Sequence, residues 1–191
     1  MTPLRTERLI LRNWQDSDRA LFHRINSDDL VMEFFPFRRD RAESDAMMDR
    51  LKAWNDANGY GFAAIELAAT GACIGFCGLY RDDGLHAFFP TGTVEISWRL
   101  APGFWGQGYV SEASRAWLAF GFETLGLGEI VSFAVTDNRR STAVMERLGM
   151  RRDAASDFDH PRVPDTHPQL VRHVVYRLNR EDWANSGNRP A

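Results

Sequence analysis

The stretch from residue 93 to residue 125 constrains the fold more than any other part of the chain, because it encodes a strand, a turn and a helix in direct succession. Apolar and polar side chains alternate over residues 93–100, which is the two-residue period of a strand with one apolar face. The apolar positions are Val94, Ile96, Trp98 and Leu100, and the polar positions are Glu95, Ser97 and Arg99. Glycines at 103, 106 and 108 follow, and a largely apolar helix is predicted from about 110 to 125.

The glycine-bearing turn has the properties of an anion site. Glycine permits left-handed backbone and close approach of a ligand, and a helix start presents unpaired N–H groups at the positive end of its dipole. A pyrophosphate would suit this arrangement, although a glycine-rich connection without a ligand explains the spacing equally well. A P-loop is excluded because its lysine is absent. The dinucleotide fingerprint is excluded because Ser111 stands where its third glycine is required.

The remaining elements alternate between strands and helices. Periodicity and capping signals predict strands at 9–11, 62–67, 74–80, 130–135 and 171–178, and helices at about 16–25, 41–58 and 138–148. Hairpins mixed with strand–helix–strand crossovers imply an α/β chain whose mixed sheet carries helices on both faces.

Composition narrows the function classes. The 23 basic residues are outnumbered by 26 acidic ones, and the formal charge of −3 argues against nucleic acid as a partner. Lys52 is the only lysine. The start of the chain has no apolar signal region and no stretch has the length of a membrane span, which favours the cytoplasm and no membrane partner. The scattered histidines and the absence of a C-x-x-C spacing predict no metal site.

Residues 104–113 resemble the acetyl-CoA pyrophosphate loop of the GNAT acyltransferase superfamily, and more narrowly of the branch that includes the ribosomal-protein N-terminal acetyltransferases. Three further stretches agree in order with that branch, namely 4–12, 137–150 and 176–183. The resemblance implies a single domain over residues 4–183 with a flexible tail at 184–191. It implies the GNAT fold, a mixed and mostly antiparallel seven-stranded sheet with helices on both faces and a splayed parallel strand pair.

The same resemblance implies direct transfer of an acetyl group from acetyl-CoA to a primary amine, either a protein N-terminal amine or a small-molecule amine. The cofactor-binding positions it implies are Trp105, Gly106, Gln107, Gly108, Tyr109 and Val110 for the pyrophosphate, and Trp98, Leu100 and Asn138 for the pantetheine arm. Asn138 is equally well explained as a helix N-cap. Gly103 departs from the family pattern, which often has Gln or Arg there, so side-chain help to the phosphates is not expected from this position.

The proposed acid and base follow from the same placement. An ammonium has no lone pair, so a base must remove a proton, and Glu95 on the polar face of its strand is the preferred candidate. The alternative is a strand residue that faces solvent or forms an ion pair, for example with Arg99. His86 has a suitable unperturbed pKa, and His160 and His167 rank below it. Ser141 is the candidate acid for the leaving thiolate, with an ordinary first-turn serine as its alternative.

The acceptor is left open by the sequence. Phe34, Phe35 and Phe37 could form an aromatic wall of its pocket, or pack in a core or a dimer contact. The acidic residues Asp157, Asp159 and Asp165 favour a cationic acceptor, or are simply solvated loop charges. A homodimer is a further partner that the resemblance implies. A non-catalytic acyl-CoA-binding or sensing module is the alternative function, because it would keep the loop while losing the acid and base.

Overall fold

The computed structural model describes residues 1–81, 85 and 87–185. The strands in this part of the chain are β1 Leu4–Arg5, β2 Leu9–Arg12, β3 Phe62–Leu67, β4 Cys73–Tyr80, β5 Glu95–Leu100, β6 Glu129–Val135, β7 Arg151–Arg152, β8 Phe158–Asp159 and β9 Arg172–Asn179. The α-helices are α1 Arg19–Ser27, α2 Arg41–Asn58, α3 Tyr109–Ala119, α4 Arg139–Arg147 and α5 Arg180–Asn185. A π-helical turn, Phe120–Thr124, continues α3.

The strands form one mixed sheet in the order β1-β2-β3-β4-β5-β6-β9-β7, with β8 also paired to β9. Every pairing is antiparallel except that of β5 with β6. The predicted mixed, mostly antiparallel sheet is therefore confirmed, but the predicted number of seven strands is wrong, because the described residues form nine. Three of the nine, β1, β7 and β8, have two residues each, which is too short to show a two-residue period in the sequence.

The helix α2 begins and ends where the sequence predicted. Asp40 accepts the backbone N–H of Glu43, and the Glu43 side chain accepts the backbone N–H of Asp40, so the helix begins at a complete capping box. Gly59 ends the helix in the left-handed conformation, with φ of 77°. At the other end of the chain, α5 runs through Asn185, so ordered structure extends past the predicted domain boundary at 183. Residues 186–191 of the predicted tail lie outside the described residues.

Helices cover both faces of the sheet, as predicted. One core lies between the sheet and the α3–α4 side and is built around Leu11, Ile65, Trp117 and Met145. The second lies against α1 and α2. The apolar positions of β5 contribute to the first core, so the alternation of the strand turns Glu95, Ser97 and Arg99 toward the α1–α2 face. No helix among the described residues is long and apolar enough to cross a membrane.

A cluster of polar contacts ties the loop before α3 to the first hairpin. Glu112, in the first turn of α3, accepts hydrogen bonds from the Thr6 hydroxyl at 2.6 Å and from the backbone N–H of Arg8 at 2.9 Å. The Arg8 guanidinium forms a salt bridge with the same carboxylate at 2.7 Å and donates to the Gln107 carbonyl at 3.1 Å. Burial opposes ionisation of Glu112, but these hydrogen bonds outweigh it and lower the pKa of the carboxyl.

Close packing of β4 against β3 gives a first prediction. A Cβ built on Gly78 would lie 1.9 Å from the carbonyl oxygen of Gly61, a backbone atom that cannot move away alone. Gly78→Ala is expected to lower the free energy of unfolding by about 1–3 kcal/mol through overpacking. Gly128→Ala is the matched control, since a Cβ there meets nothing within 4 Å, and it should change stability by less than about 0.5 kcal/mol. Urea unfolding measures both, and equal effects would contradict the close approach.

The lowered pKa of Glu112 predicts a pH-dependent contribution to stability. Because its pKa is lower in the folded state, Glu112 stabilises the protein above the unfolded-state pKa of about 4.3, and this contribution is lost as the pH falls through the folded-state value. Urea unfolding of the protein and of Glu112→Gln at pH values from 7 to 3 should show a stability difference that is greatest at neutral pH and shrinks on acidification. A difference independent of pH would contradict this assignment.

Candidate active site

A cavity of about 1480 Å³ opens where the sheet divides between β5 and β6. Its walls come from both strands, from the loop before α3, from the first turns of α3 and α4, and from the segment 34–37 that connects α1 to α2. The cavity therefore touches both faces of the sheet, and it is large enough for a ligand of cofactor size together with a second small molecule.

The division between the two strands begins after a single residue pair. β5 and β6 are in register only at Glu95 and Val131. The Val131 N–H donates to the Val94 carbonyl at 3.0 Å, and the Ser132 hydroxyl donates to the Ile96 carbonyl at 2.9 Å. Beyond these contacts the strands separate. The edge of β5 that faces β6 is left without a partner strand among the described residues.

The alternation of main-chain groups identifies which residues present that open edge. Since the carbonyls of Val94 and Ile96 point toward β6, the N–H and C=O groups of Trp98 and Leu100 point to the same side. The indole N–H of Trp105 donates a hydrogen bond to the Leu100 carbonyl at 2.9 Å, so this carbonyl is already paired. Three main-chain groups, the N–H and C=O of Trp98 and the N–H of Leu100, are thereby turned to the cavity side, where a chain of amides can pair with them.

The loop before α3 provides a backbone cradle at the same cavity. Gly106 and Gly108 adopt the left-handed conformation, with φ values of 73° and 81°. Gly108 is the N-cap of α3 and has no side chain to accept the first N–H groups, and no side chain of the described residues caps them instead. A Cβ on Gly106 would meet nothing within 4 Å, so the backbone here borders open space. This combination fits a pyrophosphate.

Most of the predicted loop positions meet at the cavity. Trp105, Gly106, Gly108, Tyr109 and Val110 line it. Gln107 is the exception, because its side chain turns back and donates to the Gly103 carbonyl at 3.0 Å. Since Gly103 has no side chain, the phosphates would be held by backbone groups at this turn.

The predicted residues of α4 lie across the gap. Asn138 lines the cavity and also caps the helix, its side-chain oxygen accepting the Ser141 N–H at 3.1 Å, so its alternative role as an N-cap is confirmed. Ser141 also lines the cavity, and its hydroxyl makes no hydrogen bond with the described residues. Arg140 holds this turn in place through a 2.6 Å salt bridge to Glu33 and a guanidinium 4.7 Å from the Trp105 ring centroid.

The candidate base occupies the beginning of the gap. Glu95 is half-buried and lines the cavity on the α1–α2 face, at the last position where β5 and β6 are paired. The contacts of Arg99 do not support the alternative in which Arg99 forms an ion pair with Glu95. The Arg99 guanidinium instead donates to the side-chain oxygen of Asn26 and stacks over Phe35, 4.3 Å from the ring centroid.

The histidines separate into different environments. His160 lines the cavity, whereas His167 contacts Thr166 and does not line it, and His86 lies outside the described residues. His173 also lines the cavity, and the sequence did not predict it, because a lone histidine near the start of a strand belongs to no motif. Burial lowers its pKa, so the ring is neutral at pH 7. A hydrogen bond from Nδ1 to the Val171 carbonyl at 3.0 Å would leave a lone pair on Nε2.

The aromatic and acidic residues expected near the acceptor behave differently. Phe34, Phe35 and Phe37 all line the cavity, which supports the prediction that they form an aromatic wall of the pocket. None of the three aspartates lines it. Asp157 accepts a 2.6 Å hydrogen bond from each terminal nitrogen of the Arg152 guanidinium, and Asp159 pairs with Arg172 at 3.3 Å, so these two carboxylates are paired locally. The expected attraction of a cationic acceptor by these residues is not supported.

The cysteines have no place in the chemistry of this cavity. Neither Cys73 nor Cys77 lines it, and burial raises the pKa of each thiol to about 12. A thiol protonated at neutral pH is a poor nucleophile, so neither residue is suited to carry an acyl group. The described residues also contain no group of three or more metal-ligating side chains.

Comparison with known proteins gives the same assignment from three directions. The family profile described as Acetyltransferase (GNAT) domain matches residues 8–151. An Aspergillus fumigatus protein named FsC-acetyl coenzyme A-N(2)-transacetylase is 30% identical over 185 residues, covering 94% of this chain and 77% of that protein. Bacillus subtilis YdaF, whose name includes the words ribosomal N-acetyltransferase, is 26% identical over 94% of this chain and 86% of its own length.

A solved structure agrees with the sequence matches. The crystal structure of an acetyltransferase from Agrobacterium tumefaciens superimposes with a TM-score of 0.71 at 31% identity, over 94% of this chain and 95% of that one. The fold, the divided sheet and the sequence matches lead to one conclusion. The chain belongs to the GNAT acetyltransferase family and is an enzyme that transfers an acetyl group to an amine.

Proposed function

We propose that the donor is acetyl-CoA and that it binds in the gap between β5 and β6, with the acceptor amine entering from the α1–α2 face. The observation that carries this proposal is the continuity of one cavity from the uncapped start of α3 to the open edge of β5. The N–H groups that follow Gly106 and Gly108 suit the pyrophosphate, and the open main-chain groups of Trp98 and Leu100 suit the amides of the pantetheine arm. Arg147 adds positive charge along this part of the wall.

The proposed mechanism is direct transfer, in which the bound thioester supplies an electrophilic acetyl carbon. Glu95 accepts a proton from the incoming ammonium, so that the amine nitrogen gains the lone pair it needs. The hydroxyl of Ser141 donates a proton toward the sulfur that leaves. Direct transfer is favoured over an acyl-enzyme route because neither cysteine lines the cavity and the pKa of each thiol is raised to about 12.

The acceptor class has two candidates that the relatives' names suggest. One relative is named as a ribosomal N-acetyltransferase and another as an N(2)-transacetylase. We propose a primary amine, on a protein N-terminus or on a small molecule, acetylated by a single domain over residues 4–183. Thiol release that depends on an added amine tests the enzyme assignment, because a non-catalytic acyl-CoA-binding protein would bind CoA and release no thiol with any amine.

The loop geometry predicts a paired result for two glycine substitutions. Gly106→Ala should weaken CoA binding by at least about tenfold, because alanine is strained at φ of 73° and its methyl group would point into the space proposed for the phosphates. Gly103→Ala is the matched control, since that glycine has no positive φ and open space around its Cβ position. Calorimetric titration with CoA measures both, and equal affinities would contradict the proposed cradle.

The acid and base assignments predict losses in turnover. Glu95→Gln removes the proton acceptor at nearly constant volume, and kcat should fall about 100-fold while the Kd for CoA is unchanged. Ser141→Ala should lower kcat by at least about tenfold, again without loss of CoA binding. Stopped-time assays of thiol release, run on the acceptor with the highest kcat/KM, provide the measurement.

A third variant separates Glu95 from the neutral histidine in the same cavity. If Glu95→Gln retains full turnover while His173→Gln loses it, the proton acceptor is His173 and the assignment to Glu95 is wrong. Glu7→Gln serves as a charge-matched control, because Glu7 lines the cavity near the first hairpin and takes no part in the proposed proton transfer.

A further inference from the structure

Two arginines on the acceptor side of the cavity, Arg39 and Arg99, are packed against aromatic rings. Arg99 projects from the polar face of β5, and Arg39 comes from the segment just before α2. The Arg99 guanidinium lies 4.3 Å from the Phe35 ring centroid and 5.4 Å from that of Phe76, and the Arg39 guanidinium lies 4.6 Å from that of Phe37. Aromatic faces stabilise a cation in place without neutralising it.

Neither arginine is neutralised by a carboxylate of the described residues. Arginines elsewhere in this part of the chain do form salt bridges, from Arg8 in the first hairpin to Arg177 in the last long strand. The side chain of Arg99 instead donates to the neutral Asn26, and the Nε–H of Arg39 is buried without a hydrogen-bond partner. A buried donor left unpaired costs free energy, which an anionic ligand would recover.

The two cations also act on each other. Burial, together with the nearby charge of Arg39, lowers the pKa of Arg99 to about 9, so Arg99 remains protonated at neutral pH. Two like charges in the wall of the same cavity, near enough to influence each other, create a positive potential there. Such a potential favours an anion that can accept hydrogen bonds from both groups.

The position of this pair separates it from the proposed donor site. The open main-chain edge of β5 lies in the plane of the sheet, whereas Arg99 projects from the face turned toward α1 and α2. Glu95 lies on that same face, four residues before Arg99, and the Cα atoms of the two residues are about 13 Å apart along the strand. An acceptor lying across Ser97 would place its amine toward Glu95 and its other end toward Arg99.

We infer that the acceptor is an amino carboxylate, whose carboxylate is held by Arg99 and Arg39 while its amine lies at the Glu95 end of the same face. This inference rests on the proposed function and specifies its substrate class. The planar guanidinium suits a carboxylate because two parallel N–H groups can donate to its two oxygens. In the reaction the amine nitrogen forms a C–N bond with the acetyl carbon as the C–S bond breaks. The ammonium proton goes to Glu95, and the sulfur leaves as CoA thiol with a proton from Ser141.

A matched panel of amines tests the inference. Glycine, β-alanine, 4-aminobutyrate and 6-aminohexanoate are compared with alkylamines of the same chain length, using thiol release from acetyl-CoA by the full chain. At least one amino carboxylate should exceed its matched alkylamine in kcat/KM by about 10- to 100-fold, the range of a hydrogen-bonded charge pair. Equal kcat/KM values within every pair would overturn the inference.

Two variants link the preference to the arginines. Arg39→Gln and Arg99→Gln should each bring the ratio of kcat/KM for carboxylate over alkylamine close to one, while the Kd for CoA is unchanged. The ratio is measured within each variant, so a partial loss of folded protein does not alter it. A ratio that survives in both variants would place the carboxylate elsewhere and overturn the inference.

The failure of the proposed function is distinguishable from the failure of this inference. If no amine releases thiol although CoA binds, the panel is repeated as calorimetric binding to the CoA-bound protein. Carboxylate-selective binding that Arg99→Gln and Arg39→Gln abolish would support the inference even while the catalytic proposal fails. Absence of selective binding would overturn it.

Discussion

The structure depends on one limited pairing, that of Glu95 with Val131 between β5 and β6. If the two strands stayed paired along their length, their main-chain groups would be satisfied within the sheet and no gap would exist. The pairing ends after one residue, and the contacts from Ser132 and Val131 fix the point at which it ends. The open edge, the cavity and the convergence of the α3 and α4 starts on that cavity all follow from this separation.

The main-chain groups and the polar side chains of β5 point in two different directions, and they give the cavity two chemically different sides. Its main-chain groups lie in the plane of the sheet and face the gap, where an amide-rich chain can pair with them. Its polar side chains are perpendicular to that plane and face α1 and α2. A donor and an acceptor can therefore be held by the same six residues without competing for the same groups. The hydrogen bonds of Arg8 with Glu112 and with the Gln107 carbonyl hold the loop before α3 in place near the end of this strand.

Sequence reasoning succeeded where the signal is local. The alternation along residues 93–100 predicted which β5 side chains share a face, and Gly59 predicted the end of α2. The contacts of Arg8 with Glu112, the burial of His173 in β9 and the pairing of Asp157 with Arg152 carry no such local signal, because they depend on how the folded chain brings separate elements together. The number of strands was wrong for a related reason. A two-residue strand is defined by its partner, and its own residues carry no period.

The charge of the acceptor side shows most clearly why tertiary contacts decide function. The acidic residues of the 157–168 loop suggested a cationic acceptor, yet Asp157 and Asp159 are paired with arginines, while Arg39 and Arg99 have no carboxylate partner among the described residues. The two arginines therefore contribute positive charge on this side of the cavity that no carboxylate of the described residues neutralises. Arginine is also the appropriate cation beside a site that acetylates amines, because a lysine there would present the same functional group as the substrate. Guanidinium stays protonated at neutral pH and offers no such nucleophile. A chain whose only lysine is Lys52 can thus hold an anion next to a reactive thioester without presenting a lysine amine of its own.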